Sequence, residues 1–181
     1  MTEIALSFRL LVALVFLTAS WGKARNRLAF RGVVANYRLL PDMLVAPFAL
    51  ALPPLEALIG LALLAPPLAR WADLAAAALL ALFAVAMGVN LMRGRRNIDC
   101  GCFQSVLKQT LRWPLVARNG VLILALAIAA LAPAGFPAPR RTAEAMAAGT
   151  ALVVLLQSLN VLWSVVPAWR RPHAHSGGAG K

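Results

Sequence analysis

Five long apolar stretches are the feature that most constrains how this chain folds. They run over residues 4–21, 44–64, 72–92, 115–132 and 145–166. A transmembrane helix needs about 20 predominantly apolar residues, so each stretch has roughly the length required to cross a bilayer. The chain is 61% hydrophobic and 13% charged, whereas soluble domains carry about 25% charged residues. The sequence therefore predicts an all-α, polytopic integral membrane bundle with about five transmembrane helices.

The segments outside the spans complete the predicted domain organisation. Residues 1–169 are predicted to form a single transmembrane helical domain. Residues 170–181 form a basic tail that contains glycine and histidine, and we expect it to be disordered. Between the first two spans, residues 22–43 combine apolar side chains with several arginines. This combination predicts a partly helical element at the membrane interface, with its arginines in water.

The net charge of +12 does not indicate a nucleic-acid partner, because the basic residues lie in short segments between apolar spans. In a five-span arrangement, 14 of the 18 Lys and Arg residues lie on one side of the membrane and 4 on the other. The positive-inside rule then predicts that the N-terminus lies outside and the C-terminus in the cytoplasm. We expect a multi-pass protein of the bacterial inner (plasma) membrane, where the outside is the periplasm. It also predicts that the segment between the third and fourth spans lies at the cytoplasmic face.

The only two cysteines of the chain, Cys100 and Cys102, flank a single glycine in that segment. A disulfide between them would close a small, strained ring that is easily reduced, as catalytic disulfides are. Neighbouring arginines favour the thiolate, whereas Asp99 opposes it or carries protons. Local chemistry leaves three interpretations open. The cysteines are a redox pair, two inert buried thiols, or half of a zinc or copper site completed by His173 and His175.

Glu56 is an acidic residue well inside a predicted span. A carboxylate in lipid is costly, so Glu56 is a functional candidate that is either protonated or paired. Arg93 begins the cysteine segment and Arg118 opens the fourth span, which makes both candidates for a supporting role. For the other polar residues in the spans, hydrogen bonding between helices is the preferred interpretation. These residues include Asn119, Gln157, Ser158 and Asn160.

The run from Asn90 to Phe103, NLMRGRRNIDCGCF, resembles the signature segment of the methylamine utilisation protein MauE family, integral membrane proteins related to the DoxX group. Further agreement comes from NYRLLP before the second span, from LPPLEALIGLALL around Glu56, and from ARNGVLILAL at the start of the fourth span. The resemblance covers roughly residues 8–132. It implies a four-helix DoxX-like core followed by a C-terminal span.

MauE-like proteins are associated with maturation of methylamine dehydrogenase, whose small β subunit is rich in disulfides, and a thioredoxin-like protein, MauD, is thought to act alongside. The resemblance therefore implies a membrane accessory protein with the β subunit as client and a MauD-type partner. If it is an enzyme, it is a membrane thiol–disulfide oxidoreductase. No covalently bound cofactor and no metal are expected, and a membrane quinone is a candidate electron acceptor. The implied site is the exchanging pair Cys100 and Cys102, supported by Asp99, Glu56, Arg93 and Arg118.

The predicted orientation conflicts with this role, because the client matures in the periplasm and the cysteine segment is predicted at the cytoplasmic face. Three solutions stay open: the pair faces alternate sides, it passes electrons to a quinone, or the orientation is reversed. Alternatives to exchange also stay open. They are a non-catalytic scaffold or transport factor for the secreted subunit, a metal-handling membrane protein and, as the weakest option, a methylamine transporter.

Overall fold

The first four apolar stretches form helices, as the sequence predicts. A computed structural model of the chain describes residues 2–95, 98, 111–131, 143–144, 146–152, 154–155 and 158, and this part of the chain contains no strand. Four of its helices are long and apolar enough to cross a membrane. The fold class is therefore the predicted polytopic helical membrane protein.

The helices are longer or shorter than the predicted spans by a few residues at each end. They are α1 (Thr2–Arg25), α2 (Arg27–Tyr37), α3 (Asp42–Ala62), α4 (Ala69–Met92) and α5 (Trp113–Ala130), with a 3₁₀ turn at Pro66–Leu68 before α4. The described residues between 143 and 158 are also helical. They fall within or next to the predicted fifth span. The rest of that span and residues 170–181 lie outside the described residues.

Helices α1, α3, α4 and α5 close a ring around one apolar core, since α1 packs on α3 and α5, and α4 packs on α5 and α3. Alanines and glycines allow close approach of these helices. A Cβ added at Gly60 would lie 3.3 Å from the carbonyl oxygen of Ala13, so α1 and α3 are nearly in backbone contact there. Large exposed side chains on the outer faces, such as Leu58, Val85 and Leu124, are where lipid would contact the bundle.

Helix α2 is the amphipathic element predicted between the first two spans. It turns away from α1 at Asn26, buries Phe30 and Val34 against the bundle, and leaves Arg27 and Arg31 exposed. It packs on α3. Because α1 and α4 end, and α3 and α5 begin, at the same end of the ring, α2 lies at the end from which the cysteine segment leaves.

Helix α3 contains three prolines, which remove backbone N–H donors from its hydrogen-bond ladder. Pro53 and Pro54 are adjacent, so two consecutive carbonyls one turn earlier lose their helical donors. At this point the hydroxyl of Ser20 donates to the carbonyl of Pro53 over 2.7 Å and ties α1 to α3. The carbonyls that lose their donors belong to Ala49 and Leu50, so this bond cross-links the two helices without replacing the missing donors.

Candidate functional site

The cysteine segment is seated on the bundle by residues on either side of it. Ile98 and Leu111 are both buried, and the N–H of Leu111 donates to the carbonyl of Ile98 over 3.0 Å. They pack with Met87 and Leu91 of α4 in a small apolar cluster that Tyr37 of α2 also contacts. The two described residues that bracket the segment, Ile98 and Leu111, are therefore held together next to α2. Cys100, Cys102 and Asp99 lie outside the described residues, and their predicted roles stay predictions.

A well-formed helix end directs the chain into this segment. Gly94 has a φ of +72°, a conformation that costs glycine nothing. The N–H of Gly94 donates to the carbonyl of Leu91, and the N–H of Arg95 donates to the carbonyl of Asn90; together these bonds make a Schellman motif. The guanidinium of Arg95 then donates to the side-chain oxygen of Asn90 and to the backbone carbonyl of Tyr37. Arg93, the predicted supporting residue, is exposed at this turn and lies outside the bundle core.

Glu56 is paired, as its position in an apolar span requires. It is 1% exposed, and one carboxylate oxygen accepts a hydrogen bond from the Nζ of Lys23, which is 3% exposed. The Lys23 Nζ also lies 5.3 Å from the ring centroid of Phe30 and 5.1 Å from that of Phe83, within the range of a cation–π contact. A lysine on a helix points back towards the N-terminus. Lys23 is one of the basic residues on which the predicted orientation depends, yet its ammonium lies inside the bundle. We call Lys23 and Glu56 the cavity pair.

Arg118 and Asn119 approach the cavity pair from α5. A cavity of about 20 Å³ is lined by Lys23, Glu56, Arg118 and Asn119 together with apolar side chains of α1 and α4. The side-chain nitrogen of Asn119 is buried and has no hydrogen-bond partner among the described residues. A cavity of this size holds one water molecule when its wall supplies polar groups, as this wall does. The structure thus brings together Glu56 and Arg118, two of the predicted site residues, and adds Lys23 and Asn119.

A second, larger cavity adjoins the first and shares Lys23 and Phe83 with it. Its volume is about 150 Å³, it lies between α2, α3 and α4, and Lys23 is the charged residue in a lining that is otherwise apolar or aromatic. Met87 belongs both to this lining and to the cluster that seats the cysteine segment. Leu39 and Leu82, also in the lining, are partly exposed, so the cavity has a mouth on the outside of the bundle.

Arg9 and Asp73 form a second buried ion pair, which the sequence analysis missed. Two guanidinium nitrogens of Arg9 donate to the Asp73 carboxylate at 2.7–3.1 Å, and one of them also donates to the carbonyl of Ala129. Arg9 is one of the four basic residues that the predicted orientation places on the side opposite the cysteine segment. The signal was an arginine six residues into an apolar span, which requires a partner. We call this the end pair, because it lies at the end of the ring opposite the cysteine segment.

Comparison with known proteins agrees with this arrangement. The family model for methylamine utilisation protein MauE matches residues 1–132, which contain all five numbered helices and the CGC motif. The chain belongs to the MauE family. The MauE proteins of Paracoccus denitrificans and Paracoccus versutus are each 45% identical over 158 residues, covering 86% of this chain and 85% of theirs. The MauE protein of Methylophilus methylotrophus is 52% identical over 99 residues, covering 55% of this chain and 52% of its own length. No solved structure matches the chain significantly.

Membership of the MauE family connects the chain to methylamine utilisation. The matched region includes the cavity pair, the end pair and the seat of the cysteine segment, since all of them lie before residue 132. Beyond it, the helical residues 146–152 pack against α1, where a Cβ added at Gly149 would lie 3.0 Å from the carbonyl of Ser7.

Proposed function

We propose that this chain is a membrane accessory protein of methylamine utilisation that exchanges thiols and disulfides through Cys100 and Cys102. Its client in this proposal is the methylamine dehydrogenase β subunit, and its direct partner is a thioredoxin-like protein of the MauD type. The observation that carries the proposal is the position of the CGC motif inside the region matched to the MauE family. The seat formed by Ile98 and Leu111 supports it, because these two buried residues hold both ends of the stretch that contains the cysteines on the bundle.

The charge distribution of the folded chain supports the predicted orientation within this proposal. Arg9, Lys23 and Arg118 lie partly or wholly inside the bundle, so they do not act as loop charges. Without them, the predicted five-span arrangement still assigns 12 basic residues to the side of the cysteine segment and 3 to the other. The bias stays strong, and it favours the cytoplasmic side of the inner membrane for the segment. A quinone in the bilayer as electron acceptor is compatible with that position, since quinones diffuse between both leaflets.

The experiment is a trap for mixed disulfides combined with an assay of the matured client. A strain that needs methylamine dehydrogenase would carry the wild-type chain, Cys100→Ser, Cys102→Ser or the double variant. We expect each single variant to capture a thioredoxin-like protein through its remaining thiol and to abolish active dehydrogenase. Ala78→Ser, on an exposed face of α4, is the control, because it introduces a serine without removing a thiol. Full dehydrogenase activity in the double variant would refute the proposal and favour a non-catalytic scaffold.

A further inference from the structure

The larger cavity combines three properties that together select one class of ligand. Its volume of about 150 Å³ matches a single six-membered ring, since an apolar cavity of that volume binds benzene. Phe30, Phe48 and Phe83 are among its lining residues, and aromatic rings pack well against a flat conjugated ring. Its mouth lies at Leu39 and Leu82 on the outer surface, so a ligand with a long apolar chain can enter from lipid and leave its chain there.

The ammonium of Lys23 in the lining favours a ligand that carries a hydrogen-bond acceptor over a purely apolar one. Lys23 is in a wall with little other polar surface, and its ammonium has three N–H bonds. Among the described residues its hydrogen-bond acceptor is Glu56, and the ammonium also lies near the rings of Phe30 and Phe83, which attract an N–H group more weakly than an oxygen acceptor does. An acyl chain offers these bonds no acceptor, whereas a ring carbonyl does. A positive charge beside a ring carbonyl also stabilises the negative charge that develops on the oxygen during reduction.

We propose that this cavity binds the ring of a membrane quinone, with one carbonyl facing Lys23, and that the quinone accepts electrons from the reduced Cys100 and Cys102. The electron-transfer step rests on the proposed function, while quinone binding stands without it. Two S–H bonds break and one S–S bond forms, so the pair loses two electrons and two protons. The quinone gains both and becomes a quinol. Met87 lines the cavity and also packs with Ile98, which precedes Cys100 by two residues in the sequence.

The test is binding of 2-decyl-1,4-benzoquinone to the full chain in lipid nanodiscs, in the Cys100→Ser/Cys102→Ser background. This background separates binding from exchange. Ala86 lines the cavity and Ala78, on the same helix, is exposed. We expect Ala86→Phe to weaken binding at least tenfold and Ala78→Phe to leave it within twofold. Val33→Phe, which enters the cavity from α2, should repeat the loss if Ala86→Phe fails to fold.

The role of Lys23 is tested with decylbenzene, which has the same chain and no carbonyl. Glu56→Gln should retain the preference for 2-decyl-1,4-benzoquinone over decylbenzene, and Lys23→Met/Glu56→Gln should lose it. Equal binding of both probes to the Glu56→Gln chain, or equal quinone affinity in Ala86→Phe and the parent, would overturn the cavity assignment. If quinone binds as expected but no mixed disulfide is trapped in cells, the proposed function fails and the quinone site stands. If mixed disulfides form and no quinone binds, this inference alone fails.

Discussion

The two buried ion pairs of this bundle are chemically alike and built differently. In the end pair, both oxygens of Asp73 accept hydrogen bonds from Arg9, and the guanidinium also reaches the carbonyl of Ala129. In the cavity pair, one ammonium meets one carboxylate oxygen, and two cavities adjoin it. Neither of those cavities is lined by the end pair. A fully bonded pair resists change, whereas a pair beside open space is able to bind a ligand.

The positions of the pairs strengthen this contrast. The end pair joins α1, α4 and α5 at the end of the ring farthest from the cysteine segment. The cavity pair joins α1 to α3 in the half of the bundle that carries α2 and the seat of that segment. We therefore propose that the end pair stabilises the fold and that the cavity pair takes part in thiol oxidation. The contrast predicts opposite responses to matched substitutions.

The largest expected effect is loss of stability when the end pair is broken. Arg9→Met leaves the Asp73 carboxylate buried without its partner, and this should cost about 3–5 kcal/mol of unfolding free energy. Arg9→Met/Asp73→Leu removes both charges and should recover most of that loss, because a buried pair replaced by apolar residues is often neutral. The stability of both variants is measured by thermal unfolding of the purified chain, with the fraction that stays monodisperse as the readout. An Arg9→Met chain as stable as wild type would contradict the structural assignment.

The next effect distinguishes the two carboxylates by activity. Glu56→Gln keeps the shape of the side chain and an oxygen that can accept from Lys23, but it removes the charge that holds the ammonium in place. We expect oxidation of the reduced cysteine pair to slow about tenfold, or ~1.4 kcal/mol in barrier height, while most of the protein stays folded. Asp73→Asn is the matched control and should lose folded protein, with a near-normal rate in the fraction that folds.

The oxidation rates are obtained by quenching with a maleimide at successive times after reductant is removed. Equal oxidation rates in Glu56→Gln and wild type would show that Glu56 takes no part in oxidation of the cysteine pair. A slower rate in Asp73→Asn than in Glu56→Gln would reverse the assignment of the two pairs.

A smaller effect is expected at the buried amides of α4 and α5. The side-chain nitrogen of Asn119 has no partner among the described residues, and an unpaired buried donor costs about 1–3 kcal/mol. Asn119→Leu should therefore raise the unfolding free energy by about 1 kcal/mol and slow thiol oxidation. Asn90 is the control, because its side chain donates to Ala86 and accepts from Arg95. Asn90→Leu should destabilise the chain, and thermal unfolding of both variants decides the comparison.

If Asn119→Leu destabilises the chain as much as Asn90→Leu does, the amide is part of a structural network. The cavity beside Asn119 would then be a feature of how α5 packs, with no role in thiol oxidation.

The smallest effect concerns the glycines that set helix spacing. A Cβ at Gly60 would lie 3.2 Å from the Cγ of Leu17 and 3.3 Å from the carbonyl of Ala13, so Gly60→Ala should push α1 from α3 and destabilise the chain by up to about 1 kcal/mol. A Cβ at Gly88 meets nothing within 4 Å, so Gly88→Ala should stabilise α4 by about 0.5–1 kcal/mol. Thermal unfolding measures the difference, and the same sign at both positions would contradict the close approach of α1 and α3.

Hydropathy was enough to predict the spans, because each helix must be apolar along a bilayer's thickness whatever its neighbours are. The amphipathic α2 was also predictable, since its arginines and apolar residues alternate at helical spacing. Glu56 was identified by the cost of a carboxylate in lipid. These features depend on the chain's own sequence and the solvent, and they need no knowledge of packing.

The partners of the buried charges were not predictable in the same way. Lys23 stands near the end of α1 and reads as a loop charge, yet its side chain reaches back into the bundle to Glu56. Arg9 and Asp73 are 64 residues apart, and their pairing depends on how α1 and α4 cross. The larger cavity depends on α2 folding against α3 and α4. Pairing across helices is decided by tertiary packing, which a single sequence does not reveal.

The most direct measurement of the central claim is the redox state of Cys100 and Cys102 in intact cells. A membrane-impermeant and a permeant maleimide would be applied before and after reduction, with Cys100→Ser and Cys102→Ser as controls. We expect a reducible Cys100–Cys102 bridge in part of the protein, and the reagents that label its thiols after reduction tell which side of the membrane the pair faces. Two thiols that stay fully reduced, together with normal dehydrogenase in the double variant, would contradict the account.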